Sequence, residues 1–389
     1  MRPRLLLWHW GRRGAGPQML ISLAQALAPL ADVALSVSAQ SELLAETRAL
    51  GLPCDAVPTY ASSAGFIAGF ARLPGLRRRL VAQATAFRAD AVVSVMTHLW
   101  TPLVAPALPA AGLRFIPIVH DAAPHPGDPA AFWAWRLRRE LASAGLAITL
   151  SGAVERVVRA ARPGLPTARM TLGAHLPLPA LSLPAPPQDL AALPHGLPAR
   201  PHILSARPPG DRPIRLLMFG RLRAYKGLDL LRDAYRLLPP GGFSLRVVGD
   251  GPAAALAPGL AELPGVTVEN RWVAEAEIPS LIRAADALVL PYREASQSGI
   301  IPIAQALGVP VVATPAGGLA EQICDGVDGV MAAAITAPAL AAALAGLAAP
   351  HALQALADGA RRRGAAMADW SAQARVLLAA AAGKADEAD

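Results

Sequence analysis

Cysteine is nearly absent, with Cys54 and Cys324 the only two in 389 residues. Two isolated thiols exclude a disulfide framework and a cysteine-built zinc site, and they fit a reducing compartment. Charge is also sparse, at 16% of residues, and there is no basic run interleaved with aromatics. Nucleic acid is therefore not expected as a partner. Long apolar runs fit for a membrane span are missing too. Ala332–Ala349 comes nearest, but Pro338 interrupts it, Pro350 ends it, and alanine adds little lipid affinity. Its second part is expected to be an amphipathic helix packed on the core. The opening Met1-Arg-Pro-Arg-Leu-Leu-Leu-Trp-His-Trp10 has a basic front, but its apolar run is too short for a secretory signal. It reads as a buried first strand, and a cytoplasmic protein is the expectation.

What is present is ample core material, with 53% hydrophobic residues, enough for two domains of roughly 150–200 residues each. Lys+Arg 36 against Asp+Glu 28 gives a net charge of +8. That excess favours anionic partners such as nucleotide phosphates or an anionic membrane surface.

Apolar runs alternate with helix-length segments along the chain. Strands are expected at Arg4–His9, Asp32–Ser36, Ala91–Val95, Phe115–Val119 and Ala147–Leu150, with helices such as Met19–Ala28 and Ala131–Ala144 between them. Leu176–Pro213 is dense in proline and lacks periodicity, as an interdomain linker would. The alternation restarts with strands at Ile214–Phe219, Ser244–Val248, Val266–Asn270, Ala287–Leu290 and Val309–Ala313. The fold class expected is α/β, with two Rossmann-like, doubly wound parallel sheets facing a cleft. The domains fall at 1–175 and 214–365, joined by the linker 176–213. A helical tail over 366–389 has a place across the domain boundary as one option.

Two stretches carry chemistry. The first is Phe219-Gly-Arg-Leu-Arg-Ala-Tyr-Lys-Gly227, between a strand and the helix expected at Leu228–Leu237. Gly220 lets a ligand approach the backbone, and Arg221 and Lys226 can converge on a diphosphate. A solvated basic turn explains the same residues about as well when they are taken alone. The second is Pro291-Tyr-Arg-Glu-Ala-Ser-Gln-Ser-Gly299, where a helix is expected to open at Ser298-Gly299. Backbone N–H groups at such a helix end suit an anion, and Glu294 stands just before them. Anion cradle plus carboxylate suggests a sugar-phosphate site.

The ordered set Phe219-Gly-Arg…Lys-Gly227, Val248-Gly-Asp-Gly251, Pro291-Tyr-Arg-Glu294…Ser298-Gly299, Gly308-Val-Pro-Val-Val-Ala-Thr314 and Gly317-Gly-Leu-Ala-Glu321 resembles family 4 (group 1) retaining glycosyltransferases of the GT-B fold. Weaker matches in the first half are Gly11-Arg-Arg-Gly-Ala-Gly16 and His120-Asp-Ala-Ala-Pro-His-Pro-Gly127. The resemblance implies transfer of a sugar from a nucleotide diphosphate sugar to a carbohydrate or lipid-linked acceptor, as in cell-surface polysaccharide or glycolipid synthesis. It implies catalytic roles for His120, Glu294, Arg221 and Lys226. It places the donor diphosphate at Gly16, Gly220, Arg221, Lys226, Ser298 and Gly299, and the nucleoside at Arg271, Trp272 and Gln297. No Asp-x-Asp motif occurs in the chain. That fits the implied absence of a metal or other cofactor, since cations and a helix end can take the leaving-group charge.

The chain departs from the family at one place. A second carboxylate is expected eight positions after Glu294 to hold the ribose, but position 302 is Pro, and aligning on Gly308 puts Ile303 there. The Ser-Gln-Ser-Gly loop thus marks a subgroup in which Gln297 supplies polar contacts, and the base is open between uracil and guanine. Among the histidines, His98 and His125 are balanced between functional and structural roles, and His9 reads as structural or loop-lining. Residues 61–90 hold five arginines and one acid, and Phe66–Arg79 mixes these with Phe66, Ile67 and Phe70. A peripheral site on the inner face of an anionic membrane is one reading of the segment. A core-packed helix with a solvated basic end is the other, and Pro74 and Gly75 are expected to interrupt the helix. Two rival functions remain, a GT-B sugar-nucleotide epimerase and a catalytically degenerate glycosyltransferase-like binding subunit.

Overall fold

The structure is a computed structural model that describes residues 2–124, 129–175 and 212–383. His125 and nearly all of the proline-rich stretch 176–213 lie outside the described residues. The chain divides into two compact units, Met1–His175 with Asp369–Asp389, and Leu176–Ala368.

The first unit is built on β1 (Arg4–His9), β2 (Asp32–Ser38), β3 (Cys54–Val57), β4 (Ala91–Val95), β5 (Phe115–Val119), β6 (Ala147–Thr149) and β7 (Thr167–Arg169). All pair in parallel in the order β3-β2-β1-β4-β5-β6-β7. Along β1, Leu5 and Leu7 enter one core while Leu6 and Trp8 enter another on the opposite face. A strand buried on both faces needs an uninterrupted apolar run, and Leu5–Trp8 supplies it. The helix Ser371–Ala381 contributes Ala374, Leu377 and Ala380 to the first of these cores. Trp370 fixes its start by donating its indole N–H to the carbonyl of Ala174 at 2.7 Å.

The second unit carries β8 (Ile214–Phe219), β9 (Phe243–Val248), β10 (Val266–Glu269), β11 (Ala287–Leu290), β12 (Val311–Ala313) and β13 (Gly329–Met331). They are parallel in the order β10-β9-β8-β11-β12-β13. Both units are α/β with doubly wound sheets, and this is the GT-B type of fold.

In each sheet the strand order reverses beside the first strand, between β1 and β4 and between β8 and β11. The carboxyl ends there are where ligands bind in open α/β sheets. Three strands have no counterpart in the sequence reading: β3, β7 and β13. Each is three or four residues long and forms a sheet edge, where one-sided burial leaves little apolar pattern. β12 begins at Val311 rather than Val309, because Pro310 has no N–H to donate, although its carbonyl still accepts from Leu288 at 3.0 Å.

The alanine-rich stretch contains the helix Ala337–Gly346, capped by Thr336, with Leu340, Ala341 and Leu344 buried. Among the described residues no helix is long and apolar enough to cross a membrane. The basic segment differs from expectation. Pro74 and Gly75 do not break a helix but lie in the first turn of Leu73–Phe87, where proline's missing N–H costs nothing. The break comes earlier, in the 3-10 turn Gly69–Arg72 that follows the helix Ser63–Ala68.

Candidate active site

In the second unit, the loops after β8, β9, β11 and β12 are tied to one another at the carboxyl edge. Leu222 N–H donates to Asp250 O at 2.9 Å, Arg293 N–H to Tyr225 O at 2.7 Å, and Gly318 N–H to Ala295 O at 3.0 Å. The Thr314 hydroxyl donates to Tyr292 O. Gly227, which starts the helix Leu228–Arg236, sits at φ +66 against the carbonyl of Pro291, and a Cβ there would collide with that oxygen. Only glycine meets both demands. The strand-end loops therefore form a fixed frame.

Lys226 lies in this frame with its ammonium over Gly220, 3.0 Å from where a Cβ of that residue would stand. It is also 4.9 Å from the centre of the Tyr292 ring. Burial works against its charge, but the hydroxyls of Tyr292 and Tyr225 outweigh this and hold its pKa above the ordinary lysine value, against repulsion from Arg221. Neither Lys226 nor Arg221 has a carboxylate partner among the described residues. Other arginines of the unit are ion-paired: Arg293 to Asp229 at 2.7 Å, Arg246 to Glu269 at 2.5 Å, and Arg232 to Asp233 at 2.8 Å. Arg221 is exposed and Lys226 partly buried, so these two neighbouring cations carry their charge with no carboxylate beside them among the described residues.

The loop after β11 fits in part. Glu294 is exposed and has no partner among the described residues, so its carboxylate is available. Gln297 is partly buried, with both amide heteroatoms enclosed and unpartnered among the described residues. An enclosed amide without partners costs about 1–3 kcal/mol, and a ligand hydroxyl able to donate and accept would satisfy it.

Ser298 departs from expectation. Its N–H donates to Gln322 Oε1 at 2.7 Å, and its carbonyl accepts from Gln322 Nε2 at 3.1 Å. The Ser298 N–H is therefore spent inside the protein and not offered to phosphate. The helix begins at Ile300 with Gly299 as its N-cap, leaving the Gly299 and Ile300 N–H groups without acceptors among the described residues.

Arg271 is a second departure. Its guanidinium bridges Glu269 at 3.0 Å and Glu277, and these carboxylates push its pKa upward. Two ion pairs on one side chain leave it poorly placed to hold a base. Trp272 beside it is 44% exposed.

In the first unit, the corresponding edge holds histidines. His9 ends β1, buried, with its pKa lowered to about 4 by desolvation and, to a smaller degree, by nearby His120. A Cβ on Gly11 or Gly16 would overlap the His9 ring. Gly16 therefore cannot carry a side chain beside His9, and it is the second residue of the helix Ala15–Leu27, in that helix's first turn. Arg12 of the same loop donates to Ala61 O, and Arg13 pairs with Glu42.

His98 is buried and its pKa falls to about 3, through desolvation first and the charge of His9 second. Its Nδ1 accepts from Trp100 N–H at 3.2 Å, and its Nε2 lies 3.0 Å from the Tyr60 hydroxyl. It reads as structural. Met96, between β4 and His98, has φ +60, an uncommon backbone for a non-glycine residue and a sign of local constraint.

His120 follows β5, partly exposed, with Nε2 2.8 Å from Asp121 Oδ2. Behind it the helix Ala130–Ser143 brings two buried charged residues that the sequence reading passed over, Arg136 and Glu140. They occupy apolar-face positions beside Leu137 and Leu141, and an i, i+4 charge pair on that face was the signal that could have found them.

Three comparisons bear on this geometry. Residues 213–349 match the family model of glycosyl transferases group 1. Among curated proteins, the chain is 34% identical over 106 residues to a GDP-mannose:glycolipid 4-beta-D-mannosyltransferase of Xanthomonas campestris pv. campestris, covering 26% of this chain and 30% of that one. It is 35% identical over 175 residues to a D-inositol 3-phosphate glycosyltransferase of Segniliparus rotundus, covering 41% and 38%. The chain therefore spans less than half the length of these curated relatives. Among solved structures, Anabaena Alr3699/HepE in complex with UDP and glucose aligns at TM-score 0.70 and 18% identity, covering 98% of this chain and 100% of that one. Sucrose-phosphate synthase from Thermosynechococcus elongatus aligns at TM-score 0.70 and 18% identity, covering 97% and 100%. At this identity the likeness establishes the fold.

Proposed function

We propose that this protein is a retaining glycosyltransferase that takes a sugar from a nucleoside diphosphate sugar and delivers it to a carbohydrate or lipid-linked hydroxyl. The observation that carries the reading is the unneutralised pair Arg221 and Lys226 at the carboxyl edge of β8, within the segment that matches the family. That curated relatives are named as glycosyltransferases and a structural neighbour holds UDP supports the choice of donor class.

In this reading the bond between the sugar's anomeric carbon and the diphosphate oxygen breaks. The acceptor oxygen bonds to that carbon on the same face, and its proton passes to the departing phosphate. Arg221 and Lys226 stabilise the charge growing on the leaving group, which is where preorganised cations contribute most. They do so without a bound metal. Glu294 holds the donor sugar's hydroxyls, Gln297 meets a sugar or ribose hydroxyl, and His120 serves the reacting sugar. The N–H groups of Gly299 and Ile300 take the anion-binding role first assigned to Ser298.

The acceptor in this reading is a lipid-linked substrate met at the anionic inner face of a membrane. Ile67 is 71% and Phe70 45% exposed, beside exposed Arg72, Arg77 and Arg78. Apolar tips flanked by basic residues suit a headgroup boundary.

The test is a panel of UDP- and GDP-sugars with and without acceptor extracts, run in EDTA, with the released nucleoside diphosphate measured. Acceptor-dependent release in EDTA supports the proposal. Conversion of the nucleotide sugar without any acceptor points to an epimerase, and no turnover of any donor points to a binding subunit.

A further inference from the structure

Glu140 is 1% exposed and belongs to no obvious core function. Both of its carboxylate oxygens accept from the Thr97 hydroxyl, each at 2.9 Å. Thr97 lies in the loop after β4, beside the constrained Met96. One helical turn before Glu140, Arg136 is 6% exposed, close enough to act on the carboxylate electrostatically. Its guanidinium stacks over Trp133 at 3.8 Å and donates to the backbone carbonyl of Asp121 at 3.1 Å. The Asp121 carboxylate in turn lies 2.8 Å from His120 Nε2.

Packing alone does not account for this line. Burying a carboxylate and a guanidinium costs more than an apolar pair of the same size would, so the fold gains no stability from choosing them. What the charges do provide is direction. Arg136 fixes the main chain at Asp121, Asp121 then holds the imidazole, and the hydrogen on Nε2 becomes the bonded one. Such support from behind sets a histidine's tautomer and orientation.

We propose that Glu140 is a positioning residue for His120, acting through Arg136 and Asp121 to hold the imidazole as the Nε2–H tautomer. The idea rests on the role given to His120 above, but its principal test does not require activity. The full-length chain, labelled at histidine with 15N, is compared with Glu140→Gln and Glu140→Ala above the histidine titration range. His120 is assigned by its loss in His120→Asn.

The wild-type His120 signals should show a protonated Nε2 and a bare Nδ1. Glu140→Ala should move them toward a mixture of tautomers, while Glu140→Gln, which keeps a Thr97 partner, should sit between. Unchanged His120 signals in a folded Glu140→Ala protein would overturn the proposal. Should Glu140→Ala fail to fold, Arg136→Met takes its place with the same expectation. Where turnover is found, the variant should lose roughly 10-fold to 100-fold in kcat, by analogy with the loss when the outer partner of a metal-bound histidine is removed, with donor KM held within about threefold. If the wild-type chain transfers no sugar, the glycosyltransferase reading fails while the tautomer result still decides this proposal.

Discussion

The side-chain amide of Gln322 closes both backbone groups of Ser298, accepting its N–H at 2.7 Å and donating to its carbonyl at 3.1 Å. Two loops of the second unit are thereby locked in one register, immediately before the helix N-cap at Gly299. Gln322→Ala should cost about 1–3 kcal/mol, since it strips both partners from a buried serine backbone. The same change should also weaken donor binding, because the Gly299 and Ile300 N–H groups lose their fixed aim. Urea melts and donor titration of the variant check both effects. An unaltered melt would show that Gln322 is not the clamp.

Lys226 and Arg221 are assigned the leaving-group charge. Lys226→Ala should lower kcat by about two to three orders of magnitude, the loss typical of a preorganised charge-stabilising donor. Arg221→Ala should act in the same direction. Steady-state kinetics on a turned-over donor is the check, and a Lys226→Ala enzyme within about threefold of wild type would reject the role.

Gln297 sets stability against binding. Its enclosed amide has no partner among the described residues, so Gln297→Met should leave the ligand-free protein as stable or more stable, by up to about 1–3 kcal/mol. Donor affinity should fall at the same time. A variant that loses stability in the absence of ligand would mean the amide is satisfied within the fold.

Four groups with strongly shifted pKa values act on the pH dependence of stability: His9, His98 and Glu140 are buried and His175 is partly buried. His9, His98 and His175 have pKa values lowered to about 4, 3 and 4, each chiefly by desolvation. Unfolded histidine binds its proton near 6.5, so these three contribute stability that is present above that pH and is lost as pH falls from about 6.5 toward 4. Together the loss is on the order of several kcal/mol.

Glu140 runs the other way. Desolvation lifts its pKa to about 7, against the pull of Arg136 and Thr97. Its contribution is full below the unfolded value near 4.5 and is lost as pH rises through about 7. Glu140→Gln should therefore gain stability relative to wild type between pH 5 and pH 8. Urea melts at pH 5, 6 and 8 on both proteins separate the limbs, and parallel curves would contradict the assignment.

Most of this fold was legible because its central strands are buried on both faces. Leu5–Trp8 and Ala287–Leu290 can only be apolar, and their boundaries came out within a residue or two. The edges β3, β7 and β13 were not legible, since a strand of three or four residues with one open face carries no pattern. In the site, Arg221 and Lys226 stood out because their loop is local in sequence. Arg271 looked equally suitable until Glu277, six residues on, was seen to pair with it. Gln322 and Glu140 reach their partners across 24 and 43 residues, and such a distance leaves no trace in a spacing.

The central claim is that the second unit holds a nucleoside diphosphate through Arg221 and Lys226. The direct measurement is a thermal-shift titration of the full chain with UDP and GDP in EDTA, beside UMP, GMP and the Arg221→Ala and Lys226→Ala variants. Binding raises the midpoint by mass action, so at least one diphosphate should raise Tm well beyond its monophosphate, and both variants should abolish the difference. No shift with either diphosphate, or an equal shift in the variants, would contradict the account.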